Sequence, residues 1–344
     1  LKDSIGVAVI GFGFMGHTHA TGWSMVPEAK LVAISDVRGK RIAKEARKFK
    51  VKVYGDYRDV LERKDVDVVD ICTPTDTHAQ VAVDSAKVGK NVLLEKPIAL
   101  TLRDADRIIG AVKKAGVTFM VAHCIRFFSE YMKVKELLDK GVLGEPVIAR
   151  ALRAGPLPGW GVKSWFKEQK KSGGVAVDLA IHDIDFVRWC FNQDVARVYA
   201  KVGRFVRKDA NMDDHALMIL RFQGGGVAHI EASWAVPQEY PFTYAFELSG
   251  TKGFVSFNNH DTVPLTVMSK GKITHYGVDT ERWVEGMPFP IDPYYREIRH
   301  FADCVLKGET PLTGGEEARK ALEIALAAKA SSKRGEPVKI PLEG

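Results

Sequence analysis

Three groups of residues have types and spacings suited to chemistry. The first is Gly11-Phe12-Gly13-Phe14-Met15-Gly16, directly after the apolar run Val7–Ile10. Between a strand and a helix, such a turn cradles a pyrophosphate. The first glycine makes the tight turn, the second lets the backbone approach the phosphates, and the third lets the helix pack close to the strand. Asp36 ends the next apolar run, 20 residues beyond Gly16, where a carboxylate accepts hydrogen bonds from an adenosine ribose. Its charge repels a 2′-phosphate and favours NAD. Val37 adjoins it, and Arg38, Lys40 and Arg41 follow, which keeps NADP as the alternative.

The second group ends later apolar runs. Cys72-Thr73-Pro74-Thr75-Asp76-Thr77-His78 follows Ile71, and Glu95-Lys96-Pro97 follows Leu94. Ligands bind at the carboxyl ends of strands in open α/β sheets. Thr73, Pro74, Thr75, His78, Glu95 and Lys96 are therefore expected along the cofactor. A lysine there donates a hydrogen bond to a substrate oxygen and stabilises developing alkoxide charge. A surface lysine paired with Glu95 is the competing reading.

The third group is Asp178 and His182 in Gly173-Gly174-Val175-Ala176-Val177-Asp178-Leu179-Ala180-Ile181-His182. Four residues apart, they share a face if one helix spans both. A carboxylate beside an imidazole fixes its tautomer and raises its pKa, which suits a general base near neutral pH. A structural i, i+4 pair and a metal site compete. No third ligand is evident, so no metal is expected. The remaining histidines, His19 among them, are read as structural or surface residues, except that His123 ends a strand near the site.

The elements that position these residues follow from periodicity. In the first 120 residues or so, short Val/Ile/Leu strands (Gly6–Ile10, Lys30–Ser35, Val68–Ile71, Asn91–Leu94, Thr118–Val121) alternate with helical segments at about 16–26, 39–49, 57–63, 77–88 and 101–115. That alternation predicts a doubly wound parallel sheet, a Rossmann domain over residues 1–124. Residues 125–344 predict an α+β domain with a large, mostly antiparallel open sheet: helices near 128–140 and 175–192, then strands at 146–153, 197–206, 215–222, 226–235, 242–249, 253–257 and 264–268. Terminal helices at 293–307 and 315–333 are expected to pack back on the first domain. Trp234, Phe242, Tyr244 and Phe246 suggest that the exposed face of the late sheet is an oligomer interface.

The composition is that of a globular protein. The 344 residues exceed one typical domain, with 46% hydrophobic and 27% charged residues. No apolar run approaches the ~18 residues of a membrane span. The first strand starts almost at once, so no signal peptide is expected. Cys72, Cys124, Cys190 and Cys304 form no CxxC pair, which fits a reducing cytoplasm. The net charge is +7, but the densest basic stretch, Arg38 to Lys52, is interleaved with apolar residues at helical spacing. It reads as a solvated helix face, and no nucleic-acid motif accompanies it.

Taken together, GFGFMG with Asp36, LLEKP and SGGVAVDLAIHDID resemble the glucose–fructose oxidoreductase and inositol dehydrogenase (Gfo/Idh/MocA) family. The resemblance spans nearly the whole chain. Cys72–His78 is similar to its TPxxxH turn, Leu248–Phe257 to its late strand pair, and Tyr295–Ser331 to its C-terminal helices. The run HDIDFVRW is similar to the inositol dehydrogenase subgroup. The resemblance implies that Lys96, Asp178 and His182 act on the substrate, with His182 as base, Asp178 orienting it and Lys96 polarising the oxygen. It implies an NAD-dependent dehydrogenase of a cyclic polyol or sugar, a homodimer or homotetramer, and a cis Lys96–Pro97 bond. His123, Arg126 and Trp165 are weaker substrate-pocket candidates. The alternatives are a redox-assisted glycosidase that uses NAD transiently and a non-catalytic NAD-binding regulator.

Overall fold

The computed structural model describes residues 3–159, 161–277, 282 and 290–342. The chain forms two compact units. The first takes in Leu1–Phe127, Trp160–Lys163 and Glu281–Arg319; the second takes in Phe128–Gly159, Ser164–Thr280 and Lys320–Gly344.

The first unit holds a six-stranded sheet of β1 (Ile5–Ile10), β2 (Ala29–Ser35), β3 (Lys52–Tyr54), β4 (Val68–Ile71), β5 (Asn91–Glu95) and β6 (Phe119–Ala122), in the order β3-β2-β1-β4-β5-β6. All neighbours pair in parallel. The order reverses between β1 and β4, so a crevice opens at their carboxyl ends. The strands are apolar on both faces because helices cover them. The helix Leu102–Ala115 shows how the sequence sets such a cover. The Thr101 hydroxyl accepts the Asp104 amide at its start, and Gly116 ends it at φ 65°. The helix Asp292–Lys307 buries Ile298, Phe301 and Ala302 in one core with Trp23, Val9 and Leu93. Burial of a side chain the size of Phe301 contributes about 1.5–3 kcal/mol.

The second unit holds nine strands: β7 (Pro146–Ala154), β8 (Val195–Gly203), β9 (His215–Phe222), β10 (Val227–Ser233), β11 (Thr243–Gly250), β12 (Gly253–Asn258), β13 (Leu265–Ser269), β14 (Lys272–Tyr276) and β15 (Val338–Lys339). Their order is β14-β13-β12-β11-β7-β10-β9-β8-β15. Only β7 and β10 pair in parallel among these neighbours. Alternate residues of β9 are buried, so one face packs on helices and the other faces out.

Three expectations need correction. The segment 175–192 is not one helix: Val175–Asp178 and Ala180–Phe191 are separate, with Leu179 at φ −98°, ψ −51° between them. The segment 39–49 is broken into short 3₁₀ and α turns. Of the aromatics expected on the outer sheet face, Trp234 and Phe246 are buried. Phe246 lies 5.1 Å from Tyr131 and 4.9 Å from Phe186, ring centre to ring centre, so it packs under the helices. The outward face carries Ile148, Tyr199, Leu217, Ile219 and Val227 instead.

Candidate active site

In the first unit, the predicted cofactor residues converge at the carboxyl ends of the strands. Gly11 leaves β1 at φ 86°. A Cβ there would stand 2.6 Å from the Cys72 carbonyl oxygen, because the turns after β1 and β4 meet. A Cβ on Gly16 would stand 1.9 Å from the Gly11 carbonyl oxygen. Gly13 has nothing within 4 Å of such an atom. The turn is thus closed on the protein side and open on the ligand side, which is the cradle a pyrophosphate requires. Phe14 begins the helix Phe14–Ser24, with Met15 and Gly16 in its first turn, so its free N–H groups face the same opening.

Asp36 is buried. It accepts the Phe12 amide at 2.8 Å and the Arg38 amide at 2.8 Å. The Arg38 guanidinium pairs with it through Nε and Nη2, both at 2.8 Å, while Nη2 also donates to the Phe12 carbonyl at 2.6 Å. Burial opposes ionisation of Asp36, yet Arg38 and the two amides outweigh it and hold the carboxyl below its usual range. The pairing therefore weakens as pH falls through that depressed value. Val37, beside Asp36, is 93% exposed.

This geometry refines the cofactor expectation. Asp36→Ala loses the ribose acceptor and the Phe12 amide partner while freeing Arg38 for a 2′-phosphate. A charge-assisted hydrogen bond is worth about 1.5–3 kcal/mol, so NAD binding is expected to weaken by roughly 10–100-fold and NADP binding by less. Arg38→Ala is expected to do the reverse. Fluorescence titration with both cofactors checks this, and equal weakening of both by Asp36→Ala would remove Asp36 as the selector.

Thr73, Pro74 and Thr75 follow β4 toward the helix His78–Lys87. His78 is buried, with Nδ1 2.9 Å from the Pro97 carbonyl oxygen and Nε2 2.9 Å from that of Thr73. Burial lowers its pKa against the pull of those carbonyls. His78 thus ties the turn after β4 to the turn after β5, a supporting position rather than a contact surface. The Lys96–Pro97 bond is cis. Lys96 is half-buried, and its amide donates to Glu95 Oε2 at 3.0 Å. His123 follows β6 and is fully buried, as is nearly all of Arg126, whose Nη1 donates to the Leu312 carbonyl.

Asp178 and His182 belong to the second unit and lie on either side of the break at Leu179. Asp178 is buried and His182 half-buried. The helix Ala180–Phe191 is anchored one residue past His182. Asp183 accepts Arg153 Nε at 2.9 Å and Nη2 at 3.1 Å, and Arg153 Nη2 also reaches the Tyr131 hydroxyl at 3.0 Å. All three residues are buried, so losing one partner leaves an uncompensated charge. Trp165 stacks on Phe166 at 3.9 Å.

The sequence reading missed a second set of polar groups in the first unit. Asp70, in the middle of β4, and His19, on the first helix, are fully buried and hydrogen-bonded at 2.9 Å. The indole N–H of Trp23 donates to Asp70 at 2.7 Å. The signal was present: an aspartate inside Val68-Val69-Asp70-Ile71 must find buried donors.

Comparisons with known proteins agree with this fold and cradle. A family model described as "Oxidoreductase family, NAD-binding Rossmann fold" matches residues 5–123, and one for the GFO/IDH/MocA C-terminal domain matches residues 131–256. A myo-inositol 2-dehydrogenase of Thermotoga maritima is 33% identical over 97% of this chain and 98% of its own. A scyllo-inositol 2-dehydrogenase (NAD(+)) of Bacillus subtilis is 29% identical over 100% and 98%. The crystal structure of a probable dehydrogenase from Thermotoga maritima superposes with a TM-score of 0.84 at 31% identity, covering 97% of this chain and 98% of that one. With the parallel sheet, the glycine cradle and the carboxylate after β2 in place, these matches establish the chain as a member of the Gfo/Idh/MocA family of NAD-dependent oxidoreductases.

Proposed function

We propose that the protein oxidises a secondary alcohol of a cyclic, inositol-like polyol or sugar, or reduces the matching ketone, as a dehydrogenase of CH–OH groups. The observation that carries this reading is the joint presence of an NAD cradle, Lys96, and the Asp178/His182 pair in a chain that matches an inositol dehydrogenase along its whole length. Gly11–Gly16 and Asp36 would hold the cofactor, with Val37, Arg38 and Thr73–Thr75 beside it. Bound NAD supplies the hydride acceptor.

Lys96 donates a hydrogen bond to the substrate oxygen and stabilises negative charge as it develops there. His182 takes the hydroxyl proton. Asp178 fixes the tautomer of His182 and stabilises its protonated form. A panel of inositols, aldoses and uronates with NAD, read at the NADH absorbance, tests the reading. Turnover of cyclic polyols above the other classes is the expected result, and no NADH with any member would remove it. The four cysteines are free thiols, which suits the reducing cytoplasm. No helix among the described residues is long and apolar enough to cross a membrane.

A second copy of this chain is the proposed cover for the outward sheet face, giving a homodimer or homotetramer. One row across that face runs Tyr199, Ile219, His229, Arg150, Glu247 in register. Val227 and Ile148 pair in the adjacent row. Apolar side chains mixed with both signs of charge are self-complementary, as an isologous contact requires. Ile219→Lys with Tyr199→Asp is expected to shift light scattering toward monomer mass. A wild-type monomer at micromolar concentration would contradict the assembly.

A further inference from the structure

Beneath the strand ends of the first unit, ionisable side chains meet largely out of solvent. Asp70 accepts the Trp23 indole at 2.7 Å, His19 Nδ1 at 2.9 Å, and the Cys72 thiol at 3.4 Å. His19 Nε2 lies 3.1 Å from Glu95 Oε1. That contact is an ion-pair approach rather than an aligned hydrogen bond. Glu95 Oε2 in turn accepts the Lys96 amide. The helix Asp292–Lys307 closes the cluster with Tyr294 and Glu297. Glu297 is fully buried, and neither of its carboxyl oxygens has a hydrogen-bond partner among the described residues.

The charge of His19 follows from its place between two buried carboxylates. Both ring nitrogens face carboxylate oxygens, and a neutral imidazole has one N–H. A neutral His19 would turn a lone pair toward one of two buried carboxylates, Asp70 or Glu95. The imidazolium hydrogen-bonds Asp70 through Nδ1 and sets its positive charge 3.1 Å from Glu95 Oε1, so one cation stands between two buried carboxylates. His19, Asp70 and Cys72 also have metal-ligating atoms within 4.8 Å of one another. Those atoms are already engaged with each other, so the trio reads as a hydrogen-bonded set and not as an ion cage.

We propose that His19 is a permanent buried imidazolium that keeps Glu95 ionised directly behind Lys96, and is thereby a positioning residue for that lysine. The role rests on the reading of Lys96 as the donor to the substrate oxygen. Asp70, His19 and Glu95 then alternate in charge up to the Lys96 amide, which Glu95 holds by a charge-assisted bond. Burial alone lowers the pKa of His19, but Asp70 and then Cys72 raise it well above its ordinary value. Burial raises that of Glu95, but His19 first, then Lys96 and His78, hold it low. Burial, with Glu95 and Asp70 opposing ionisation and His19 favouring it, pushes the Glu297 carboxyl well above its usual range.

The charge of His19 is read directly by nitrogen-15 NMR of histidine-labelled full-length protein with NAD, using His19→Gln for assignment. The imidazolium pattern is expected to persist well above the pH at which an ordinary histidine loses its proton. A neutral tautomer, or a midpoint near the ordinary value, overturns the proposal. The coupling to Lys96 is read from the pH profile. The groups facing Glu95 are His19, Lys96, His78, Asp70, Cys72, Tyr294 and Glu297, so His19→Gln removes its nearest cation and moves its ionisation to higher pH. Turnover is expected to fall roughly tenfold near neutrality, as for supporting partners of functional groups, and to recover as pH rises. In Glu95→Gln the loss does not recover, and the double variant is no worse than Glu95→Gln. A uniform loss across pH with a lower Tm marks a merely structural histidine and overturns the positioning role. Wild-type turnover in Lys96→Ala defeats the lysine reading and this role with it, while the NMR result still stands for the charge itself.

Discussion

Lys96→Ala and His182→Ala are each expected to lower kcat by roughly 10²–10⁴-fold while leaving NAD affinity within about twofold. The reasoning follows from where the cofactor is held. On the proposed reading the glycine turn and Asp36 hold the pyrophosphate and ribose, and neither Lys96 nor His182 belongs to that turn. A positioned base contributes about 10²–10⁴ in rate and a donor to developing charge about 10²–10³. If both groups serve one substrate oxygen, the double variant loses less than the product of the singles. Asp178→Asn is expected to lower activity, because the carboxylate proposed to orient His182 is gone. Steady-state kinetics with fluorescence titration of NAD checks all four variants. Wild-type turnover in either folded alanine variant would place the chemistry elsewhere.

Gly16→Ala is expected to be as damaging by another route. The added Cβ would stand 1.9 Å from the Gly11 carbonyl oxygen, a backbone atom with no flexible end to move. Either the helix Phe14–Ser24 backs away from β1 or the turn opens. Overpacking of this kind costs about 1–3 kcal/mol, and either relaxation moves the amides away from the pyrophosphate. NAD affinity is expected to fall by roughly 100-fold or more, with a lower Tm in both the absence and presence of NAD. Gly13→Ala, which adds a methyl into open space, is expected to leave Tm unchanged and to weaken NAD alone. Calorimetric titration and thermal melts separate the two, and a Gly16→Ala protein with normal affinity would mean that the turn is not the cradle.

The parts of the fold legible in the sequence were those with strong periodicity. Val7–Ile10, Val68–Ile71 and Asn91–Glu95 are nearly continuous apolar runs because both faces of a parallel sheet are covered. The strands left unread are short and at or near the sheet edges. Lys52–Tyr54 and Val338–Lys339 span three and two residues, and Lys272–Tyr276 is almost wholly exposed, so burial imposes no pattern on them. The break at Leu179 was hidden because Val175, Ala176 and Val177 before it and Ala180 and Ile181 after it continue the apolar pattern past Asp178 while the backbone turns. The outer face of the large sheet was misassigned for a related reason. A strand's alternation separates two faces but does not say which one the helices cover, and Phe246 and Trp234 lie on the covered side.

The site shows the same division. Gly11, Gly16 and Asp36 were readable because each is fixed by local backbone geometry around one strand–helix turn. Arg38 was read as tolerance for a phosphate, but its bidentate grip on Asp36 depends on the fold of the turn after β2. His19, Asp70, Glu95 and Glu297 come from four separated segments. Their meeting depends on the helix Asp292–Lys307 returning to the first unit, which no local pattern encodes.

The central claim is net hydride transfer from a polyol CH–OH to NAD. The most direct measurement uses a cyclic polyol deuterated at the carbon to be oxidised, incubated with the protein and excess NAD. Deuterated NADH and the ketone are predicted to accumulate in equal amounts, with turnover lost in His182→Ala. Cleavage of a glycoside without net NADH, or tight NAD binding with no product from any polyol, would contradict the account.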